Sequence, residues 1–366
     1  MTWNDFEAVK LFAQAAEQGD ADAQTCLGLM YYKGRGIAQN YAEAAKLFTQ
    51  AAEQGDAGAQ NVLGRMYDKG QGVAQNDAKA AEWYAQAAEQ GDVLARCNLA
   101  HLYEEGRGVA QNYAKATKLY KSAAEQGDAV AQCHLARLYD EGCGVAQNNA
   151  EAVLWYKLAA EQGEMVAQYN LANMYAEGRG IVKDEAEAVK WYKLAAEQGD
   201  ASAQTNLGWM YYKGQTVVQN YDEAVKWYKL AAEQGEALSQ CHLAYMYEEG
   251  CGVAQNYAEA AKWYKLAAEQ GEAFSQCHLA YMYDEGRGIA QSYSEAAKWY
   301  KLAAEQGQVI AQYNLASMYA RGRGIVKDEV EAVKWYKLAA EQGDEDAQAA
   351  LAATKVVQND RLSGEE

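Results

Sequence analysis

The sequence predicts an all-α fold, an α/α superhelical solenoid of 36-residue helix-turn-helix repeats. Three observations carry that expectation. The glycine closing each Glu-Gln-Gly triplet recurs at Gly19, Gly55, Gly91, Gly127, Gly163, Gly199, Gly235, Gly271, Gly307 and Gly343, every interval being 36 residues. The 366 residues include no proline, which breaks helix interiors. Within each interval the apolar residues recur at helical spacing, in two runs parted by loop glycines. A helix pair of this size cannot bury its apolar face alone, so the copies must stack on one another.

The elements follow in order. Residues 1–19 read as an N-terminal half repeat, a capping helix; nine full units run from 20–55 to 308–343; residues 344–366 read as a truncated C-terminal capping repeat and tail. In the first helix of the first unit, Ala23, Leu27, Gly28, Met30 and Tyr31 fall on one side of a 3.6-residue wheel. The residue after the leucine is always Ala or Gly, which lets a neighbouring helix approach. The helix ends at Gly34-Arg35-Gly36, with Gly34 placed for a left-handed cap. Asn40 followed by Glu43 has the spacing of a reciprocal capping box, repeated by Asn220/Glu223, Asn256/Glu259 and Asp184/Glu187. Asn112, followed by Lys115, keeps only half of it. The second helix carries an aromatic pair, Leu47-Phe48 becoming Trp155-Tyr156 and then Trp227-Tyr228, ahead of two alanines. These aromatic and methionine columns read as core, since each large side chain stabilises by roughly 1.5–3 kcal/mol when buried. The last unit keeps Ala347, Gln348 and Leu351, then places Thr354 and Lys355 where Met and Tyr belong and resumes at Val356-Val357-Gln358-Asn359. A polar final helix suits a terminal repeat.

The balance of charge narrows the functional classes. The net charge is −18, from 51 acidic against 33 basic residues, and no basic stretch offers a nucleic-acid footprint. No window approaches the roughly 20 apolar residues of a membrane span. The start, MTWNDFEAVKLFAQ, lacks the basic and apolar segments of a signal peptide. The expectation is therefore a cytoplasmic protein, with export by another route as the alternative.

The pattern Ala-Gln-x-x-Leu-Gly/Ala-x-Met-Tyr-x-x-Gly-x-Gly-Val/Ile, then Asn/Asp-x-x-Glu-Ala, then Trp-Tyr-x-x-Ala-Ala-Glu-Gln-Gly, strongly resembles the Sel1-like repeat. Nine copies cover nearly the whole chain; one departure is Thr216, which replaces the second loop glycine. The resemblance implies a right-handed superhelix similar to tetratricopeptide arrays, with first helices lining the concave side. It also implies adaptor or scaffold roles, often in bacterial signalling, envelope function or host interaction. Residues 272–343 echo 128–199, so internal duplication explains much of the uniformity and differences between copies are the informative positions.

Those differences gather on one side of the first helices. The column two after the leucine reads Leu29, Arg65, His101, Arg137, Asn173, Trp209, Tyr245, Tyr281 and Ser317. Trp209, Tyr245 and Tyr281 occupy successive units, with Tyr169, Tyr212 and Tyr313 nearby. Trp, Tyr and Arg are the types enriched at binding hot spots. The expected function is thus a scaffold that binds a protein or peptide on the concave face, through Tyr169, Trp209, Tyr212, Tyr245, Tyr281, Tyr313, Arg65, His101 and Arg137. The competing reading is that these rings pack between neighbouring first helices. The acidic pairs Glu104-Glu105, Asp140-Glu141, Glu248-Glu249 and Asp284-Glu285 end their helices, against the helix dipole, and suggest a rim for basic residues of a partner.

Little points to chemistry. Cys97/His101, Cys133-His134, Cys241-His242 and Cys277-His278 invite a metal, but no CxxC or HExxH spacing supports one. Asn98, Asn170, Asn206 and Asn314 fill the same column in sister units, which favours a structural role. Cys133/Cys143 and Cys241/Cys251 stand roughly 15 Å apart by helical rise, beyond disulfide reach. Gly-Arg-Gly-Val/Ile mimics a phosphate loop without its third glycine or preceding strand. No cofactor is expected and no enzyme; the alternatives are a self-assembling structural repeat protein and a hydrolase on the solenoid scaffold. A monomer is expected over an oligomer.

Overall fold

A computed structural model of the chain describes residues 3–353, apart from residue 215. The expectations for Thr354, Lys355 and residues 356–359 lie outside the described residues. The helices are α1 (Trp3–Glu17), then the pairs α2 (Ala21–Lys33) and α3 (Tyr41–Glu53), α4 (Ala57–Lys69) and α5 (Asp77–Glu89), α6 (Val93–Glu105) and α7 (Tyr113–Ala124), α8 (Ala129–Glu141) and α9 (Asn149–Glu161), α10 (Met165–Glu177) and α11 (Glu185–Glu197). They continue with α12 (Ala201–Lys213) and α13 (Tyr221–Glu233), α14 (Ala237–Glu249) and α15 (Tyr257–Glu269), α16 (Ala273–Glu285) and α17 (Tyr293–Glu305), α18 (Val309–Arg321) and α19 (Glu329–Glu341). Residues 345–353 are again helical, and no strand occurs among the described residues. The chain is an all-α solenoid of helix pairs about 36 residues long. It divides into two compact units, Met1–Trp191 and Tyr192–Glu366. In the first, each helix from α1 to α10 packs on the next; in the second, each from α12 to α19 does the same.

Local chemistry sets the boundaries. Asp56 starts α4 by accepting from Ala59 N at 2.6 Å, which satisfies one of the amides left unbonded at a helix start. Gly70 ends it in the left-handed region, φ 67°, with its N–H on the Met66 carbonyl. Two residues on, Gly72 has φ 74° and a second constraint: a Cβ there would stand 2.1 Å from the Tyr41 carbonyl oxygen at the start of α3. The second loop glycine is therefore the point where one repeat touches the backbone of the repeat before it. Thr216 stands at that place in repeat six.

The reciprocal capping box is not formed. Asn40 accepts from Ala42 N and Glu43 N, at 3.0 and 3.1 Å, but its own N–H donates to the Tyr31 carbonyl at 3.0 Å. Glu43 turns outward to Lys46 at 2.7 Å. The box fails because the last turn of the first helix offers an unbonded carbonyl closer at hand. Asn112 accepting from Lys115 N, at 2.9 Å, is the same half-box as in the other copies.

The core columns fall as the periodicity predicts. Tyr84, Tyr120 and Tyr156 in the first unit, and Tyr228, Tyr264 and Tyr300 in the second, are at most 2% exposed. The small residue after each leucine makes room for them: a Cβ on Gly64 would lie 2.7 Å from the Tyr84 ring. A buried glutamine ties successive helices. Gln60 Nε2 donates to the Ala52 carbonyl at 3.1 Å, and its Oε1 accepts from Gln90 at 2.8 Å. Both recurrent glutamines, in Ala-Gln and in Glu-Gln-Gly, are thereby explained as one satisfied buried network.

Candidate functional site

The first helices of the second unit build an open pocket of about 300 Å³. From α12 come Trp209, Tyr212 and Lys213; from α14, Leu238, His242 and Tyr245; from the start of α16, Glu272 and Phe274, with Tyr228 of α13 beneath. Trp209 is 42% exposed, Leu238 47% and Phe274 40%, so apolar surface of three successive first helices meets solvent together. The rings brace each other. Trp209 lies 6.1 Å from Tyr212 and 5.8 Å from His242, and Tyr212 meets Tyr245 edge-on at 6.4 Å. The Lys213 ammonium sits over the Trp209 ring at 4.5 Å, a cation–π contact. Burial first, and then the neighbouring Tyr245 hydroxyl, pushes the Tyr212 phenol up to about 12. Burial also lowers the His242 pKa, against a smaller opposing pull from Glu272, so the ring is held neutral.

Of the residues singled out by sequence, the structure gathers Trp209, Tyr212 and Tyr245. The others lie elsewhere. Tyr281 is half-buried under Arg287, whose guanidinium is 5.3 Å from its ring. Tyr313 packs toward the core, 5.7 Å from Tyr336 on the second helix of its own repeat. Tyr169 is half-buried and belongs to the first unit. Arg65 there covers the Tyr32 ring at 5.3 Å. Arg137 is engaged by Glu104 and by Glu141, the latter at 2.8 Å, and His101 faces Glu105 at 3.4 Å. Leu238 and Phe274 were missed by the sequence reading. Their signal was present: the second position of the first helix, from the fourth unit on, reads Val130, Val166, Ser202, Leu238, Phe274 and Ile310, a variable column seven residues, about two turns, before the chosen one.

The acidic pairs present mainly their second acids to solvent. The first acid of each pair turns inward to a residue of this chain. Asp140 pairs with Arg179 and Asp284 with Arg323, each the loop arginine of the following repeat, and Asp68, an acid at the same place but followed by Lys69, pairs likewise with Arg107. Glu104 is held by Arg137 and Tyr120, and Glu248 by Tyr264 and His278. Charge on the helix end is stabilised by these partners, which offset the dipole.

The Cys and His columns are packing groups. His134 stacks on Tyr120 at 4.9 Å, His242 on Tyr228 at 4.9 Å and His278 on Tyr264 at 5.0 Å. All seven cysteines are free thiols, and burial pushes Cys97, Cys133 and Cys241 up to about 12 and Cys277 to about 11, so these four stay protonated at neutral pH. Among the described residues, no group of three or more His, Cys, Asp or Glu side chains is placed to hold a metal, and no helix is long and apolar enough to cross a membrane.

Stacked helix pairs whose variable side chains sit on the first helices define a repeat protein of the tetratricopeptide-like kind. The Sel1 repeat pattern matches ten stretches, residues 1–20 and nine more running from 21–56 to 309–344. The chain belongs to the Sel1 repeat family, whose repeats generally mediate protein–protein interaction. Among solved structures it is similar to c5321, a protective antigen present in uropathogenic Escherichia coli strains and displaying this fold. That match has 37% identity and a TM-score of 0.83, covering 93% of this chain and 73% of that one. It is also similar to a Sel1 repeat protein from Oxalobacter formigenes, with 32% identity, a TM-score of 0.62, and coverage of 84% and 89%. Such relatives are scaffold proteins, typically without enzymatic activity. No curated protein matched the chain.

Proposed function

We propose that the chain is a protein-interaction scaffold that holds a segment of a partner against α12, α14 and α16. This is the face lined by first helices, the concave side in the family's superhelix. The observation that carries the reading is Trp209, 42% exposed at the mouth of an open pocket, in a column where sister repeats place leucine, arginine, histidine, asparagine, tyrosine or serine. A large aromatic braced by Tyr212 and His242 loses little freedom on binding, which is what makes such residues anchors. Affinity capture from the source cell, with the chain and with Trp209→Ala/Tyr245→Ala, tests it. The expected result is a partner whose recovery falls by more than about tenfold in the variant, at unchanged helicity by circular dichroism. Equal recovery by both proteins would reject this face.

A further inference from the structure

The pocket holds a donor that nothing among the described residues answers. Tyr228 is 1% exposed, lines the pocket, and its hydroxyl has no hydrogen-bond partner. In two sister repeats the same hydroxyl meets a carboxylate, Tyr120 donating to Glu104 at 3.2 Å and Tyr264 to Glu248 at 2.8 Å, while Ala176 and Ala320 take the acid's place ahead of Tyr192 and Tyr336. The histidine stacked on that tyrosine faces the same acid. His278 Nδ1 is 3.2 Å from Glu248, and His134 Nδ1 is 4.0 Å from Glu104. The pocket's copy keeps both donors, Tyr228 and His242, stacked at 4.9 Å.

What it lacks is the acid. Tyr212 stands at the position of Glu104 and Glu248, and its ring turns to Trp209, Tyr221 and Tyr245. The next residue changes too, Lys213 standing where sister repeats have Glu105 and Glu249. A helix end of Glu-Glu has become Tyr-Lys, and a negative site has become a positive one. The first repeat shows the same Tyr32-Lys33, but there Phe48 replaces the tyrosine and Val62 the histidine. The acid and both donors vanish together in that copy, whereas around the pocket the donors remain. Tyr300 also has an unpartnered hydroxyl, yet its repeat supplies its own acid, Asp284, ion-paired with Arg323. Glu272, the acid nearest the pocket, is turned to the amides of Phe274 and Ser275.

We propose that the pocket receives a glutamate side chain of the partner segment, which stands in for the missing Glu104 or Glu248. Its carboxylate accepts from the Tyr228 hydroxyl and from His242 and pairs with Lys213, while Leu238 and Phe274 hold the apolar residues beside it. The inference rests on the reading of this face as a partner-binding site. It accounts for a buried donor that is otherwise costly to leave unpaired, and for a local charge reversal in a chain of net charge −18.

Fluorine NMR of the full chain labelled with fluorotryptophan tests it, the Trp209 resonance being assigned with Trp209→Phe. The probes are acetyl-Leu-Glu-Phe-amide, its Gln counterpart, and acetyl-Leu-Phe with a free C-terminal acid. The Glu peptide is expected to shift the Trp209 resonance saturably and to bind at least about tenfold tighter than the Gln peptide. Tyr228→Phe removes only an unpartnered hydroxyl, so its melting temperature is expected to be unchanged or higher while most of that preference is lost. Tyr212→Glu rebuilds the sister arrangement and is expected to block the Glu peptide. Equal binding of the Glu and Gln peptides overturns the carboxylate anchor and leaves the partner-binding face standing. Tighter binding of the free acid overturns the side-chain assignment. A resonance that none of the peptides moves also overturns the anchor, and the capture experiment then decides the face by itself.

Discussion

Replacing Gly72 by alanine should cost far more than replacing Gly70, although both glycines have nearly the same backbone conformation, φ 74° and 67°. A side chain in the left-handed region costs about 1–2 kcal/mol at either place. At Gly70 the new Cβ would meet the Gln75 Cβ at 3.3 Å, which a small shift relieves. At Gly72 it would stand 2.1 Å from the Tyr41 carbonyl oxygen and 2.3 Å from its carbon. Those are backbone atoms anchored at the start of α3 and cannot rotate away. Relief requires the second repeat to lift off the first by roughly an ångström, an overpacking strain of about 1–3 kcal/mol. The total for Gly72→Ala is thus about 2–5 kcal/mol, against about 1–2 for Gly70→Ala. Because long repeat arrays do not unfold as one unit, the assay is native-state hydrogen exchange read helix by helix. Gly72→Ala is expected to lower protection across α2 to α5, on both sides of the altered contact, while Gly70→Ala affects chiefly its own loop and α4. Equal, purely local losses in the two variants would refute the argument that the second glycine sets repeat-to-repeat approach.

Two further perturbations test the ionic and aromatic parts of the fold. Arg107→Ala leaves the half-buried Asp68 with only the exposed Lys69 at 3.3 Å and also frees Asp77; a loss of about 1–2 kcal/mol is expected by denaturant melting of the first unit's helices, with Arg107→Lys restoring only part of it. His242 has its pKa lowered by burial, so the unfolded chain binds its proton more readily than the folded one. The stability it contributes is fully present above the unfolded value of about 6.5 and falls as pH drops below it. Melting temperatures recorded from pH 7.5 to 5 should show this decline for the chain and a flatter profile for His242→Asn, the residue type of the sister repeats. Parallel profiles would count against a buried neutral ring at this place.

Most of the fold was legible because each repeat solves the same packing problem with the same residues. Ala23, Leu27 and Met30 announce a buried face by spacing alone, and Gly34 announces the helix end. The capping box was misread for a physical reason. Asn40 and Glu43 have the right spacing, but spacing does not reveal that the Tyr31 carbonyl lies nearer to the Asn40 amide. The acidic pairs hide their contacts in the same way. Asp140 looks like surface charge in one repeat, and its partner, Arg179, is 39 residues away in the next. Contacts between repeats are invisible to a reading that compares each copy with itself; they emerge only when position in one copy is set against position in its neighbour.

That rule also separates site from scaffold. Variation alone nominated nine residues, and packing absorbed several of them: Tyr313 into the core, Tyr281 under Arg287, Arg137 onto Glu104. What distinguishes the pocket is a broken correspondence between neighbours. Wherever Tyr120 or Tyr264 has its acid, the repeat is complete in itself; where Phe48 follows Tyr32, the donor has gone with the acid. At Tyr228 the tyrosine and its histidine both survive without the acid, whereas Tyr192 and Tyr336, which also lack it, are followed by Asn206 and Ala350 in the histidine's place; and Tyr228 lies beside Trp209, the most exposed Trp or Tyr of the variable column. Other buried groups of the described residues also lack a partner, Tyr300, Trp227 and Ser275 among them, but of these Tyr228 is the one that lines the open pocket beside Trp209, where a group from outside can supply what is missing.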